Sequence, residues 1–160
     1  MKRLLFLDFD GVLHSCDAAE IEYTSKGIQI TGSRLFSRLS ELERLLNRCP
    51  DISIVISSSW QDHHTLEELR SFLGTAGYCV IGATRSINCI PRNRTWHRFE
   101  ECQAAAEVVG ADRWVMVDDQ PSIVWGNHVP TREEMARVVI CDPVLGLNPM
   151  IVDTLARKLS

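Results

Sequence analysis

The chain has 160 residues, with 17 Lys and Arg against 21 Asp and Glu and a formal net charge of -4. A composition of 45% hydrophobic and 24% charged residues excludes disordered, collagen-like and coiled-coil classes, and at this length one core burying about 70% of the unfolded chain's surface holds the fold without staples. The acidic balance excludes a global basic field for gripping nucleic acid, so any such contact has to come from a local patch.

Met1-Lys2-Arg3 followed by Leu4-Leu5-Phe6-Leu7 has the order of a signal peptide, but Asp8 ends the apolar run after four residues, which is too short. No stretch approaches the roughly 20 apolar residues of a membrane helix. The six cysteines include no C-x-x-C pair, so buried reduced thiols are expected, and with them a cytoplasmic protein.

Residues 4–7 read as a strand buried on both faces, because all four side chains are apolar. Residues 14–32 carry a hairpin, with strands at 20–24 and 28–31 around Ser25-Lys26-Gly27. Ser33 stands as cap of a helix whose Leu35, Leu39, Leu42, Leu45 and Leu46 share one face. Ile52-Ser53-Ile54-Val55-Ile56 is a second buried strand, and Thr65-Leu66-Glu67-Glu68 has the spacing of a capping box opening a helix closed by Gly74 and Gly77. Further along, a strand is expected at 78–81, a helix at 98–109 ended by Gly110, and strands at 114–117 and 138–141. Asn148 with Pro149 starts the last helix.

This alternation predicts one domain spanning 1–160, an α/β, Rossmann-like doubly wound fold with a mainly parallel five-stranded sheet and helices on both faces. Ligands of such sheets bind beyond the carboxyl ends of the strands. Those ends carry Asp8-Phe9-Asp10-Gly11, Ser57-Ser58-Ser59-Trp60 and Asp118-Asp119-Gln120. Carboxylates crowded at one edge repel one another unless a cation sits among them, and hard oxygen donors suit Mg²⁺.

Phe6-Leu7-Asp8-Phe9-Asp10-Gly11-Val12-Leu13, Ile54-Val55-Ile56-Ser57 and Val115-Met116-Val117-Asp118-Asp119 resemble the first, second and fourth motifs of the haloacid dehalogenase (HAD) superfamily, whose members are mostly Mg²⁺-dependent phosphatases. Ser57-Ser58-Ser59-Trp60, the Arg98 helix, Asp118-Asp119 and Gly146-Leu147 further resemble the small HAD domain of bacterial Swiss Army knife RNA-repair proteins. An ordinary turn or a calcium loop is the plainer reading of D-x-D-G alone, but Gly11 comes too early for an EF-hand loop.

The resemblance implies a hydrolase acting through an aspartyl-phosphate on Asp8, with Asp10 as general acid and base. It implies metal binding by Asp8, the carbonyl of Asp10, Asp119 and Asp118, and phosphate binding by Ser57. The third motif is usually a lysine, yet Lys2, Lys26 and Lys158 are the only lysines. Arg98 is the first candidate to replace it, then Arg94, then Arg92, since guanidinium also binds phosphate bidentately.

Arg85, Arg92, Arg94 and Arg98 with Trp96 and His97 form a basic stretch without acids. It reads equally as a solvated loop or as a contact for nucleic-acid ends with Trp96 stacking on a base. His14 and His128 have no partner legible in sequence. No room exists for a large cap domain, so the site is expected to be open, unless a second copy supplies a lid. The leading expectation is a capless phosphatase acting on phosphorylated substrates, nucleic-acid ends among them. The alternatives are a small-molecule phosphatase or nucleotidase, and a non-catalytic phosphate or nucleic-acid-end binding module.

Overall fold

A computed structural model describes residues 1–89 and 96–160. In chain order it contains β1 (Arg3–Leu7), β2 (Glu20–Thr24), β3 (Gly27–Thr31), α1 (Leu39–Arg48), β4 (Ile52–Ile56), α2 (Leu66–Phe72), β5 (Val80–Ala83) and α3 (Thr84–Asn88). There follow α4 (Arg98–Val109), β6 (Arg113–Asp118), α5 (Pro121–Trp125), α6 (Arg132–Ala136), β7 (Val138–Ile140) and α7 (Pro149–Leu159).

Five strands form one sheet in the order β5-β4-β1-β6-β7, and every neighbouring pair is parallel. The chain steps outward from β1 through β4 to β5, then returns to lay β6 on the other side of β1. That reversal puts the topological switch point at the carboxyl end of β1. Successive strand residues point to opposite faces. Leu5 and Leu7 therefore join Val115 and Val117 in a core closed by Leu42 and Leu45 of α1 and Val152, Leu155 and Leu159 of α7. Leu4 and Phe6 join Trp114 and Met116 in a second core against Phe99, Cys102, Ala105 and Ala106 of α4. All four apolar residues of β1 are buried because a helix layer covers each face, and truncating any of the leucines to Ala would cost about 2–5 kcal/mol.

The structure moves two of the expected elements and adds three short helices. The first long helix starts at Leu39 and has no side-chain cap; Ser33 lies in turns ahead of it. Phe36 takes a left-handed conformation at φ 56°, which breaks a helix there, and the Arg38 amide donates instead to the Leu13 carbonyl at 2.8 Å. The strand expected at 78–81 is β5 at Val80–Ala83, because Gly74–Cys79 forms a 3₁₀ segment that leaves Tyr78 exposed. The short helices α3, α5 and α6 were not foreseen, since five residues each are too few for a periodic apolar signal.

Other punctuation acts as expected. Thr65 and Glu68 close a capping box on α2. Asn148 accepts from the Met150 and Ile151 amides at the start of α7, and Gly110 ends α4 in the left-handed conformation. Val138–Ile140 and Glu20–Thr24 with Gly27–Thr31 form the fifth sheet strand and the hairpin. Among the described residues no large cap domain is evident. None of the six thiols is in a disulfide; Cys49, Cys102 and Cys141 are buried, whereas Cys16 and Cys89 are exposed, contrary to the sequence expectation. Among the described residues no helix is long and apolar enough to cross a membrane.

Candidate active site

Three strand ends converge beside the switch point. β1 delivers Asp8, β4 delivers Ser57 and β6 delivers Asp118. Parallel pairing keeps these ends level, with the Asp8 amide donating to Val117 and the Ser57 amide to Leu7. Beyond β1 the chain makes one helical turn, in which the Val12 and Leu13 amides donate to the Phe9 carbonyl. Gly11 sits in that turn at φ +69°, and a Cβ there would lie 2.2 Å from Oδ2 of Asp119. Only glycine lets this loop pass so close to the carboxylate.

Asp8, Asp118 and Asp119 each offer a carboxylate oxygen within 4.8 Å of the others, and all three are buried. Burial raises the Asp8 pKa to about 7, against the pull of Arg98 and with the Asp118 charge adding to the rise. The Phe9 amide and the Ser58 hydroxyl hydrogen-bond the Asp8 carboxylate and work the other way. Burial likewise raises Asp118, opposed by Arg98, and raises Asp119, where the Asp118 charge adds to it. Oδ1 of Asp119 is buried with no hydrogen-bond partner among the described residues. Such an orphaned acceptor beside two further carboxylates is a set of hard donors suited to a divalent cation such as Mg²⁺.

Arg98 stands at the first turn of α4, whose cap is the ring of His97. Its Nη1 donates to the Ser57 carbonyl and lies 3.3 Å from Asp118 and 3.4 Å from Asp8. Desolvation works against its charge, but Asp8 and Asp118 outweigh that and raise its pKa further. Arg98 therefore holds a permanent positive charge between the two buried carboxylates. Arg94 and Arg92 lie outside the described residues.

Asp10 is offset from the three-carboxylate cluster and is partly exposed, at 31% of its side chain. Its Oδ1 pairs with His14 Nε2 at 2.9 Å and its Oδ2 accepts from the Trp60 indole at 2.9 Å. Asp8, Asp10, Arg98 and Asp118 line one cavity of about 180 Å³ together with Ser59, Gln120 and Ile123. Ser57, expected to face phosphate, instead turns its buried hydroxyl to the Cys102 thiol at 3.3 Å, and the serine at the cavity wall is Ser59. Ser58 caps the 3₁₀ turn that carries Trp60.

Arg85 is an acid-free neighbour in sequence only. In space it donates to Asp62 and lies 3.7 Å from the buried Glu101, within a network that also joins Gln61 and Thr84. Trp96 is half-buried ahead of α4. Sequence reasoning missed His14 and Trp60 as partners of Asp10. The i, i+4 spacing of Asp10 and His14 was the one local signal available. Burial raises the thiol pKa of Cys102, and raises that of Cys141 to about 12, so neither buried thiol is an activated nucleophile.

A family model described as the HAD domain in Swiss Army Knife RNA repair proteins matches residues 4–151. Comparison with curated proteins and with solved structures finds no match. The matched span includes the central sheet from Leu4 of β1 onward and all the cavity residues, and it supports a phosphatase or hydrolase kind of function. The chain, with its parallel sheet and its acidic switch point, belongs to the family of HAD domains found in Swiss Army Knife RNA repair proteins.

Proposed function

We propose that the protein is an Mg²⁺-dependent phosphomonoesterase that works through an aspartyl-phosphate and acts on the phosphorylated ends of polynucleotides. The observation that carries the reading is the shared cavity, in which Asp8, Asp10 and Arg98 stand together beside the buried Asp8, Asp118 and Asp119 cluster. Asp8, Asp118 and Asp119 would hold Mg²⁺, which when bound would supply positive charge for the phosphoryl oxygens and favour the ionised form of Asp8.

In the first step an Asp8 carboxylate oxygen attacks phosphorus, the bond to the ester oxygen breaks, and Asp10 gives that oxygen its proton. In the second, Asp10 takes a proton from water as the water attacks phosphorus, and the bond to Asp8 breaks to release inorganic phosphate. Arg98 offsets part of the charge on Asp8 and Asp118 and opposes the burial that leaves the Asp8 pKa at about 7. Its guanidinium lines the cavity and is the group we assign to hold a phosphoryl oxygen.

A large substrate is favoured by the size of the cavity. About 180 Å³ is below the roughly 300–1,000 Å³ of pockets that enclose a small ligand. It accommodates the phosphoryl group and leaves the rest of the substrate outside, as a chain end would be. Arg92, Arg94 and Trp96, which precede Arg98 in the sequence, are the residues we assign to that chain through charge and base stacking; Arg85 pairs with Asp62 and Glu101.

The test is phosphate release from 5′- and 3′-phosphorylated oligonucleotides and from mononucleotides, each with Mg²⁺ and with EDTA. Mg²⁺-dependent release faster from oligonucleotides is the expected result. Equal or faster release from mononucleotides would make it a nucleotidase, and binding of phosphorylated ends without release would make it a binding module. Arg92→Ala with Arg94→Ala should weaken action on oligonucleotides and lower its salt dependence while sparing a small aryl phosphate.

A further inference from the structure

His14 is fully buried, four residues beyond Asp10, and packs edge-on to Phe36 and against Trp60. Both of its ring nitrogens are engaged. The Phe36 amide donates to Nδ1 at 3.2 Å and Nε2 meets Asp10 Oδ1 at 2.9 Å. Because Nδ1 accepts a hydrogen bond, the ring proton sits on Nε2, and Nε2 is a donor to Asp10. The Trp60 indole, a donor only, holds the other oxygen of the same carboxylate.

The arrangement has two consequences. His14 has no free lone pair with which to accept a proton, so it is not a second base. Asp10 has each oxygen pinned by one donor, while each oxygen keeps a further lone pair for a proton or substrate. The donors come from rigid surroundings: Phe9, Phe36, Phe72 and Trp60 pack ring against ring at 5.3–5.6 Å. Phe36 is one of two non-glycine residues at positive φ among the described residues. That costly conformation aims its amide at His14.

We infer that His14 is a positioning residue that, with Trp60, fixes the orientation of the Asp10 carboxylate for proton transfer to the leaving oxygen. The inference rests on the proposed phosphatase reading and adds residues to it. A freely rotating Asp10 would have to find its proton-transfer geometry at each turnover, and misplacement on the scale of 1 Å costs up to about 10²-fold in rate.

The experiment compares His14→Leu, His14→Gln and Trp60→Phe with the parent protein in Mg²⁺, reading kcat/KM on ethyl phosphate and on p-nitrophenyl phosphate. This parameter reports the first chemical step, where ethoxide needs a proton and nitrophenolate does not. His14→Leu and Trp60→Phe should each lose about 10- to 10²-fold on ethyl phosphate and only a few-fold on the aryl ester. His14→Gln keeps an N–H donor in reach of Asp10 and should recover most of the loss. Equal losses on both esters, unchanged rates, or no recovery in His14→Gln that has folded with the parent's melting temperature would overturn the positioning role while the phosphatase reading stands. A parent protein inactive on both esters and on phosphorylated oligonucleotides overturns the phosphatase reading, and the positioning role with it.

Discussion

Gly11 and Asp119 are separated by so little space that a methyl group on the glycine would lie 2.2 Å from the carboxylate oxygen. The contact ties the loop after β1 to the end of β6. Gly11→Ala has to displace Asp119 and to hold an L-residue at φ +69°, which together should cost about 1–3 kcal/mol. Chemical denaturation checks the loss. It should be accompanied by weaker Mg²⁺ binding, and a variant with parental stability and metal response would show that the loop is not tied to Asp119.

On the proposed reading, Asp8, Asp118 and Asp119 within 4.8 Å of one another would make Mg²⁺ a stabilising ligand. Thermal unfolding should rise with Mg²⁺ by mass action, by about 2.7 kcal/mol at a hundredfold excess over Kd. Asp119→Asn removes the charge of the residue with the orphaned oxygen and should flatten the response. Absence of any shift for the parent protein at millimolar Mg²⁺ would remove the assigned metal site.

Burial sets the sign of a pH effect in EDTA. The Asp8 pKa is raised from 3.8 to about 7, so between those values the folded state holds a proton that the unfolded state has released. The contribution of Asp8 is therefore present in full below pH 3.8 and is lost as pH rises toward 7. Asp118 and Asp119 act in the same direction. Asp8→Asn should gain stability relative to the parent as pH is raised through this window, and Mg²⁺ should erase the difference. Denaturant titrations at several pH values measure it, and a parallel pair of curves would refute the buried-carboxylate account.

Asp8→Asn should abolish turnover on every ester, because its amide cannot form the phosphorylated intermediate. Asp10→Asn should lower kcat/KM on alkyl phosphates by roughly 10² to 10⁴ and by less on aryl phosphates. With its base gone, the second step slows, so phosphate or beryllium fluoride should be found on Asp8 by mass spectrometry or crystallography. An adduct on Asp10, or full activity in Asp8→Asn, would reverse the two roles.

Sequence alone determined the layered fold, because β1, β4 and β6 are short apolar runs that only a two-sided core can bury, and caps such as Thr65, Asn148 and Gly110 act within one turn of themselves. It also determined that acidic residues follow two of those strands, since a strand end is a local property. Only the tertiary structure decided how those residues engage one another. The Trp60 indole reaches Asp10 across 50 positions of chain, Phe36 is forced into the left-handed region where its amide meets His14, and Ser57 turns to Cys102 on the neighbouring α4. These are long-range packing outcomes. A side chain's rotamer and hydrogen-bond partner depend on what the fold brings beside it, and no local spacing encodes that neighbour.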